Sequence, residues 1–350
     1  MKQRRVTMQD VADAAHVSKT AVSFAFNDSS RLSESTLRHI LATADELGYT
    51  QNPAARMLRT RKTSSLGLLL PQQLDLVLTN PYYTQFLQGV GQTCHREGYT
   101  LLLAPPLRGS MLKAIPYAAV DGFMVSGLES DRGEVAALRQ RGIPFVLVDS
   151  EPIDGVPSVE IDDTEGIETL VEHLLDLGHR RIAVLSFETG VGDDWRHWHG
   201  PVKRRLLGAE SALERRGLAL AEPDVRVVQV PCTRHGGEIG FEQVWADPAH
   251  RPTALVCFSD IIAFGVLDAA ARAGVSVPDE LSVTGFDDLD EAHSSRPSLT
   301  TVRQPIETKG RLAADYLVEA ITSEARDPEA RQMRLHTALL LRESTAAPRA

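Results

Sequence analysis

The chain has 350 residues, 43% of them hydrophobic, with 37 Lys and Arg against 47 Asp and Glu for a formal charge of −10. This is enough for two or three domains with a large core. No apolar run approaches the roughly 18 residues of a membrane span, and MKQRR lacks the apolar stretch of a secretory signal, so a cytoplasmic protein without membrane attachment is expected. Cys94, Cys232 and Cys257 are odd in number, widely spaced and outside any CxxC pair, which argues against a disulfide framework or a zinc site.

Residues 7–27, TMQDVADAAHVSKTAVSFAFN, read as two short helices joined by a tight turn. Thr7 and Asp10 have the spacing of an N-cap and a first-turn acid, and Val11, Ala12 and Ala15 share an apolar face. Val17 plugs the turn, Ser18 starts the second helix, and Val22 and Ala25, with Phe26 beside them, are its buried side. At about 100° per residue, Lys19, Thr20, Ser23, Phe24 and Asn27 fall on or near the opposite face. A helix whose outward N-terminal end is short and basic fits a DNA major groove. A third helix is expected from Ser33 to Leu47, where Leu37, Ile40, Leu41, Ala44 and Leu47 recur at helical spacing and Gly48 supplies the stop. The competing reading, a three-helix bundle without a ligand, leaves Phe24 as an unexplained exposed hydrophobe.

Asn52 can cap a further helix, Pro53 suits its first position, and AARMLRTR continues it with four positive charges counting Lys62. Isolated helices below about 12 to 15 residues are marginal in water, so this one is expected to fold only when docked. A basic linker is the alternative. Residues 1–63 hold ten Lys or Arg against six Asp or Glu, leaving 27 against 41 in the remainder. A basic end suits phosphate, and an acidic body would be held away from it.

From Ser65 onward short apolar runs alternate with amphipathic helices. LGLLL, YTLLLA, VDGFMVS, IPFVLVD, RRIAVLS, VRVVQV, TALVCF and LSVTGF read as buried parallel strands. A helix is expected from Asp163 to Leu177, with Asp162 and Glu165 as a capping box and Gly178 as its stop. So many repeats favour two doubly wound lobes over one sheet. Asp149 and Asp287 each end a strand, where ligands of such sheets bind, and Arg205 stands in KRRLLG before a helix. Tyr82, Tyr83, Phe187, Trp195 and Trp198 suit either ligand contact or core packing. His197 and His199 flank Trp198, but with no third ligand at a recognisable spacing a plain loop is favoured over a metal site. Paired carboxylates could also serve acid and base chemistry on a glycoside. There is no nucleophile elbow, Walker loop or dinucleotide fingerprint, and GVG at 190–192 lacks its completing glycine, so binding without turnover or cofactor is the preferred reading.

The segments VSKTAVSFAFN, ELGYTQNPAARML, VTGFDDL and LLLRES, in that order, resemble signatures of the lac, galactose and purine repressor family of bacterial transcription regulators. The resemblance implies a helix-turn-helix headpiece in residues 1–51, a hinge helix and linker in 52–64, and a two-lobed, periplasmic-binding-protein-like α/β body in 65–350. The chain would cross between lobes near Asp162, Leu289 and Thr322. It implies DNA contacts from Thr7, Ser18, Lys19, Thr20, Ala21, Ser23, Phe24 and Asn27, with Arg56 on phosphate and Leu58 wedged in the minor groove. Ala54 and Ala55 would let two hinge helices approach. Tyr82, Tyr83, Asp149, Arg205, His235, Ser259 and Asp287 would line an effector cleft. Ser259 replaces a longer amide of many relatives, His235 an aromatic ring of several, and Phe24 a frequent arginine. The implied protein is a homodimeric repressor on palindromic operator DNA, controlled by a small molecule such as a sugar or sugar derivative. No leucine heptads follow LLLRES, which favours a dimer over a tetramer. A sugar-cleaving or sugar-modifying enzyme with an appended DNA-binding domain is the alternative.

Overall fold

The computed structural model describes residues 6–50, 57, 62–127, 133–188, 192, 194–220, 224–323 and 331–349. The chain divides into two compact units, residues 1–63 and 64–350. In the first, α1 (Met8–Ala14), α2 (Lys19–Asn27) and α3 (Glu34–Glu46) each start at a side-chain cap. Thr7 Oγ1 accepts from the Asp10 amide while the Asp10 carboxylate accepts from the Thr7 amide at 2.8 Å, a complete capping box. Ser18 Oγ accepts from the Ala21 amide at 3.1 Å and Ser33 Oγ from the Thr36 amide at 3.2 Å. Val11, Ala12, Ala15, Val22, Ala25, Ile40 and Ala44 form the core, with Val17, Phe26 and Leu37 packed against it.

Two side chains of the expected α3 stripe do not join that core. Leu41 is 40% exposed and Leu47 38%. Leu41 lies 100° round from Ile40, at the margin of the stripe, and Leu47 is the C-cap beyond the packed turns. Asn52, Pro53, Ala54, Ala55, Arg56 and Leu58 lie outside the described residues.

The second unit contains two six-stranded sheets. Its strands are β1 (Ser65–Leu69), β2 (Thr100–Ala104), β3 (Gly122–Ser126), β4 (Phe145–Val148), β5 (Ser158–Ile161), β6 (Ile182–Phe187), β7 (Val225–Val230), β8 (Ala254–Cys257), β9 (Ser282–Asp287), β10 (Thr300–Arg303), β11 (Gln332–Leu335) and β12 (Ala338–Leu340). The helices are α4 (Leu74–Thr79), α5 (Pro81–Glu97), α6 (Glu134–Gln140), α7 (Asp163–Asp176), α8 (Gly200–Glu214), α9 (Arg234–Trp245), α10 (Asp260–Arg272), α11 (Asp290–Ser294) and α12 (Ile306–Thr322). One sheet runs β11-β5-β4-β3-β1-β2, all parallel; the other runs β12-β10-β9-β8-β6-β7, parallel except for β12.

All eight expected strands form, but β2 and β7 are half-exposed edges rather than buried strands. Four strands, β5, β10, β11 and β12, carry no long apolar run and escaped the pattern. Their presence moves two of the expected crossovers. The chain leaves the first lobe after β5, near Asp162, as expected. It does not return near Leu289, because β10 still pairs with β9; the return falls at 304–305, ahead of α12, which packs on β3, β4 and β5. The last crossing lies at 336–337, between β11 and β12, and not near Thr322.

Helices pack closely where glycine allows it. A Cβ on Gly89 of α5 would lie 1.9 Å from the Glu307 carbonyl oxygen of α12, and one on Gly310 of α12 would lie 2.1 Å from the Phe86 carbonyl oxygen. Backbone on both sides leaves nothing flexible to give way. Gly89→Ala should therefore destabilise the body by about 1 to 3 kcal/mol, seen as a lower urea midpoint, whereas Gly91→Ala, with open space around it, should leave the midpoint unchanged or slightly raised.

Candidate functional site

A cleft of about 260 Å³ lies between the two lobes of the second unit, at the carboxyl ends of their strands. The first lobe contributes Tyr82, Tyr83 and Asp149, the second Phe187, Arg205, Cys232, Ser259 and Asp287, and Gln304 lies at the crossover between them. Asp149 follows β4 and Asp287 ends β9, so each leaves a sheet where its side chain can turn into the cleft. Both adopt positive φ, 51° and 132°. Such backbone costs a non-glycine residue about 1 to 3 kcal/mol and is held only by strong surroundings.

Those surroundings form one hydrogen-bonded chain. Lys309, on α12 and fully buried, donates to Asp149 Oδ2 and to Gln304 Oε1, each at 2.6 Å. Gln304 Nε2 donates to Asp287 Oδ1 at 2.6 Å, and Ser259 Oγ to Asp287 Oδ2 at 2.8 Å. Tyr82 donates its hydroxyl to Asp149 Oδ2 at 3.0 Å. Burial, then the charge of Asp149, pushes the Tyr82 phenol well above its ordinary value, so it remains a donor. Asp149 Oδ1 is buried without a hydrogen-bond partner.

Arg205 is not ahead of a helix but inside α8, which already begins at Gly200. Its Nε donates to Asp163 Oδ1 at 2.8 Å, its Nη1 donates to the Phe258 carbonyl, and its guanidinium stacks 3.7 Å above the Phe286 ring. Asp163 opens α7, where a helix N-terminus favours a carboxylate.

Beneath Asp287 lies a second buried acid. Asp260 approaches Gly285 so closely that a Cβ there would sit 2.1 Å from its Oδ1. Burial, then the charge of Asp287, raises Asp260 from 3.8 to about 8. Asp287 is itself raised by burial, against the opposing charge of Arg205. Asp260 Oδ1 accepts from the Thr301 hydroxyl at 2.6 Å, and its other oxygen accepts from the Leu289 amide at 2.8 Å.

Some expected contacts are elsewhere. His235 does not line the cleft: it is exposed on α9 and pairs with Glu238 at 2.9 Å, so Cys232, just before that helix, takes the inward place. Trp198 is core, its Nε1 donating to the Gly192 carbonyl at 3.0 Å, and Trp195 stacks with Lys203. His199 lines the cleft while His197 is exposed beside Asp194. Among the described residues no group of three metal-ligating side chains occurs, and no helix is long and apolar enough to cross a membrane. Lys309 and Gln304 escaped the sequence pattern. The available signal was a lysine on an otherwise apolar stripe with Ala313 and Leu317.

In the headpiece Ser18, Lys19, Thr20 and Asn27 are exposed, and Ser23 and Phe24 half-buried. Ala21 is partly packed on the core, and Thr7 is exposed with its hydroxyl in the cap. Arg31 holds its guanidinium 5.0 Å from the Phe24 ring centroid and donates to Asp28 Oδ2 at 2.7 Å. Thus a cation accompanies the half-buried Phe24.

Residues 7–52 match the bacterial regulatory proteins of the lacI family, and 171–345 a periplasmic binding protein-like domain. The ribose operon repressor of Escherichia coli strain K12 is 31% identical over 97% of this chain and 99% of its own. An HTH-type transcriptional regulator of Mycolicibacterium smegmatis is 34% identical over 90% of each chain. Among solved structures, the transcriptional regulator CelR in complex with cellobiose has a TM-score of 0.70 and 28% identity over 97% of this chain and 100% of that one. The lac repressor dimer bound to operator shares the fold, with a TM-score of 0.81 and 23% identity over 98% of this chain and 100% of that one.

A helix-turn-helix headpiece N-terminal to a two-lobed, periplasmic-binding-protein-like body defines a DNA-binding transcription regulator, not an enzyme. The chain belongs to the LacI family of bacterial regulatory proteins.

Two substitutions test the buried groups. Lys309→Met strands Asp149 without its cation and should cost about 3 to 5 kcal/mol of stability, read by denaturant unfolding. For Asp260 the folded value lies above the unfolded one, so its stabilising contribution is complete below about pH 4 and is lost as pH rises through about 8. Asp260→Asn is uncharged at every pH and nearly isosteric, and its amide can still bond the Thr301 hydroxyl and the Leu289 amide. Its stability relative to the parent should climb between pH 4 and 8 and then level off; a constant difference across that range would contradict a protonated Asp260.

Proposed function

We propose that this regulator is a cytoplasmic repressor that binds a palindromic operator as a homodimer and releases or tightens its hold when a sugar or sugar derivative occupies the cleft. The observation that carries the effector reading is the pair of carboxylates, Asp149 and Asp287, at strand ends of opposite lobes, with Tyr82 and Phe187 beside them. Neighbouring ring hydroxyls suit carboxylate acceptors, and an aromatic face suits the apolar side of a sugar ring. Relatives named for ribose and crystallised with cellobiose support the same chemistry.

Two-fold symmetry would present two headpieces to two half-sites. In each, Lys19 reads guanine O6 and N7, and Thr20 and Ala21 meet a thymine methyl or nearby backbone. Ser18, Ser23 and Asn27 supply polar contacts, with Thr7 near phosphate. Phe24 cannot donate to guanine, so the half-site differs there from those read by an arginine, and Arg31 beside it supplies a positive charge. Arg56 and Leu58, in the segment joining headpiece and body in sequence, would engage phosphate and the minor groove. Effector binding then acts by its differential affinity for two lobe arrangements, transmitted through residues 52–64 to the operator contacts.

Duplexes selected from a random library by the full-length protein supply the test. Lys19→Ala should relax preference at one base pair per half-site, with a loss of about 1 to 3 kcal/mol on the selected sequence. Arg56→Ala should weaken selected and random duplexes alike and flatten the salt dependence. Equal losses on both duplexes for both variants would contradict these roles. Selection that yields no two-fold sequence would contradict the homodimer on a palindrome.

A further inference from the structure

The charge inventory of the cleft says more about its ligand than its shape does. Among the described lining residues three carboxylates, Asp149, Glu188 and Asp287, face a single guanidinium, that of Arg205. Arg205 is already committed through Nε to Asp163 and through Nη1 to the Phe258 carbonyl. Lys309, behind Asp149, is sealed from solvent and divided between Asp149 and Gln304. An incoming anion would meet one partly engaged guanidinium and the His199 imidazole against the carboxylates of Glu188 and Asp287 and the Lys309-paired Asp149, in a partly desolvated space where like charges at close range disfavour binding.

The acceptors point the same way. Lys309 and Tyr82 both occupy Asp149 Oδ2 and leave Oδ1 buried and unpartnered. A buried acceptor left without a donor destabilises the site, and a ligand hydroxyl or N–H would supply the missing bond. Asp287 differs: each of its oxygens already accepts a hydrogen bond, from Gln304 and Ser259, and it can accept further only through remaining lone pairs. The anchoring point is therefore Asp149 Oδ1.

We infer that the cleft selects an uncharged ligand that donates a hydrogen bond to Asp149 Oδ1, and discriminates against phosphorylated or carboxylated forms of the same ligand. This rests on the sugar reading above and narrows it to neutral polyols.

Calorimetric titration of the full-length protein tests it with neutral D-ribose, D-glucose, D-galactose, cellobiose and maltose. Ribose 5-phosphate, glucose 6-phosphate, galactose 6-phosphate and cellobionic acid form the charged series. The expected result is binding by at least one neutral sugar, with its charged counterpart weaker by roughly tenfold or more at low salt, a gap that narrows as salt screens the carboxylates. Glu188→Gln, at an exposed position, should narrow that gap by roughly threefold. A charged sugar that binds as tightly as its neutral counterpart or more so, or a gap indifferent to Glu188→Gln, overturns the inference and leaves the sugar reading intact. Silence in both series overturns both.

Discussion

One buried ammonium ties together the cleft between the lobes. Lys309 on α12 belongs to the first lobe, yet through Gln304 at the crossover it reaches Asp287 at the end of β9 in the second. An unpaired ammonium in such a place would be too costly to bury. Paired to Asp149 and bonded to Gln304, it becomes a fixed reference that positions a carboxylate in each lobe at once. The two lobes are thereby joined by a side-chain chain as well as by their three crossovers. A ligand that binds both Asp149 and Asp287 must work against or along that chain, so cleft occupancy and lobe geometry share one free energy.

The same economy appears in the backbone around the cleft. Asp149 and Asp287 are held at positive φ, and Gly285 gives up its side chain so that Asp260 can lie under Asp287. Strain and buried acids gather where strands end and ligands bind, a distribution expected of a preorganised site and not of a merely stable core. Arg205 shows a parallel arrangement: its guanidinium is fixed by Asp163 at the start of α7 and stacked on Phe286, so it borders the cleft with little freedom. The helices behind these groups can be close enough only because glycine occupies their crossings, as Gly89 and Gly310 do between α5 and α12.

How much of this could be read in the sequence depended on the range of the interaction. Caps are local, and Thr7, Ser18 and Asp162 stand where their spacing placed them. Apolar runs are also local, so all eight of the strands they mark exist. The short strand TTVR carries no such run, yet it keeps the chain in the second lobe past Leu289, so the crossing falls at 304–305. Asp149 and Asp287 were legible because a carboxylate at the end of a buried strand is conspicuous. Lys309 was not, since its partner lies 160 residues away in sequence. His235 was assigned to the cleft by position in a family pattern, but the helix phase after Thr233 turns it to Glu238 and solvent.

The measurement closest to the central claim is the ratio of operator affinities with and without saturating effector, compared between the parent protein and Gln304→Met. That substitution cuts the side-chain chain at its middle link while keeping the side chain's length and much of its volume. If the lobes communicate through Lys309 and Gln304, the ratio should fall from the roughly 5- to 150-fold typical of allosteric regulators toward unity, while operator and effector each still bind the variant separately. An undiminished ratio in a folded variant would show that effector occupancy reaches the operator contacts by another route, and the account would be wrong.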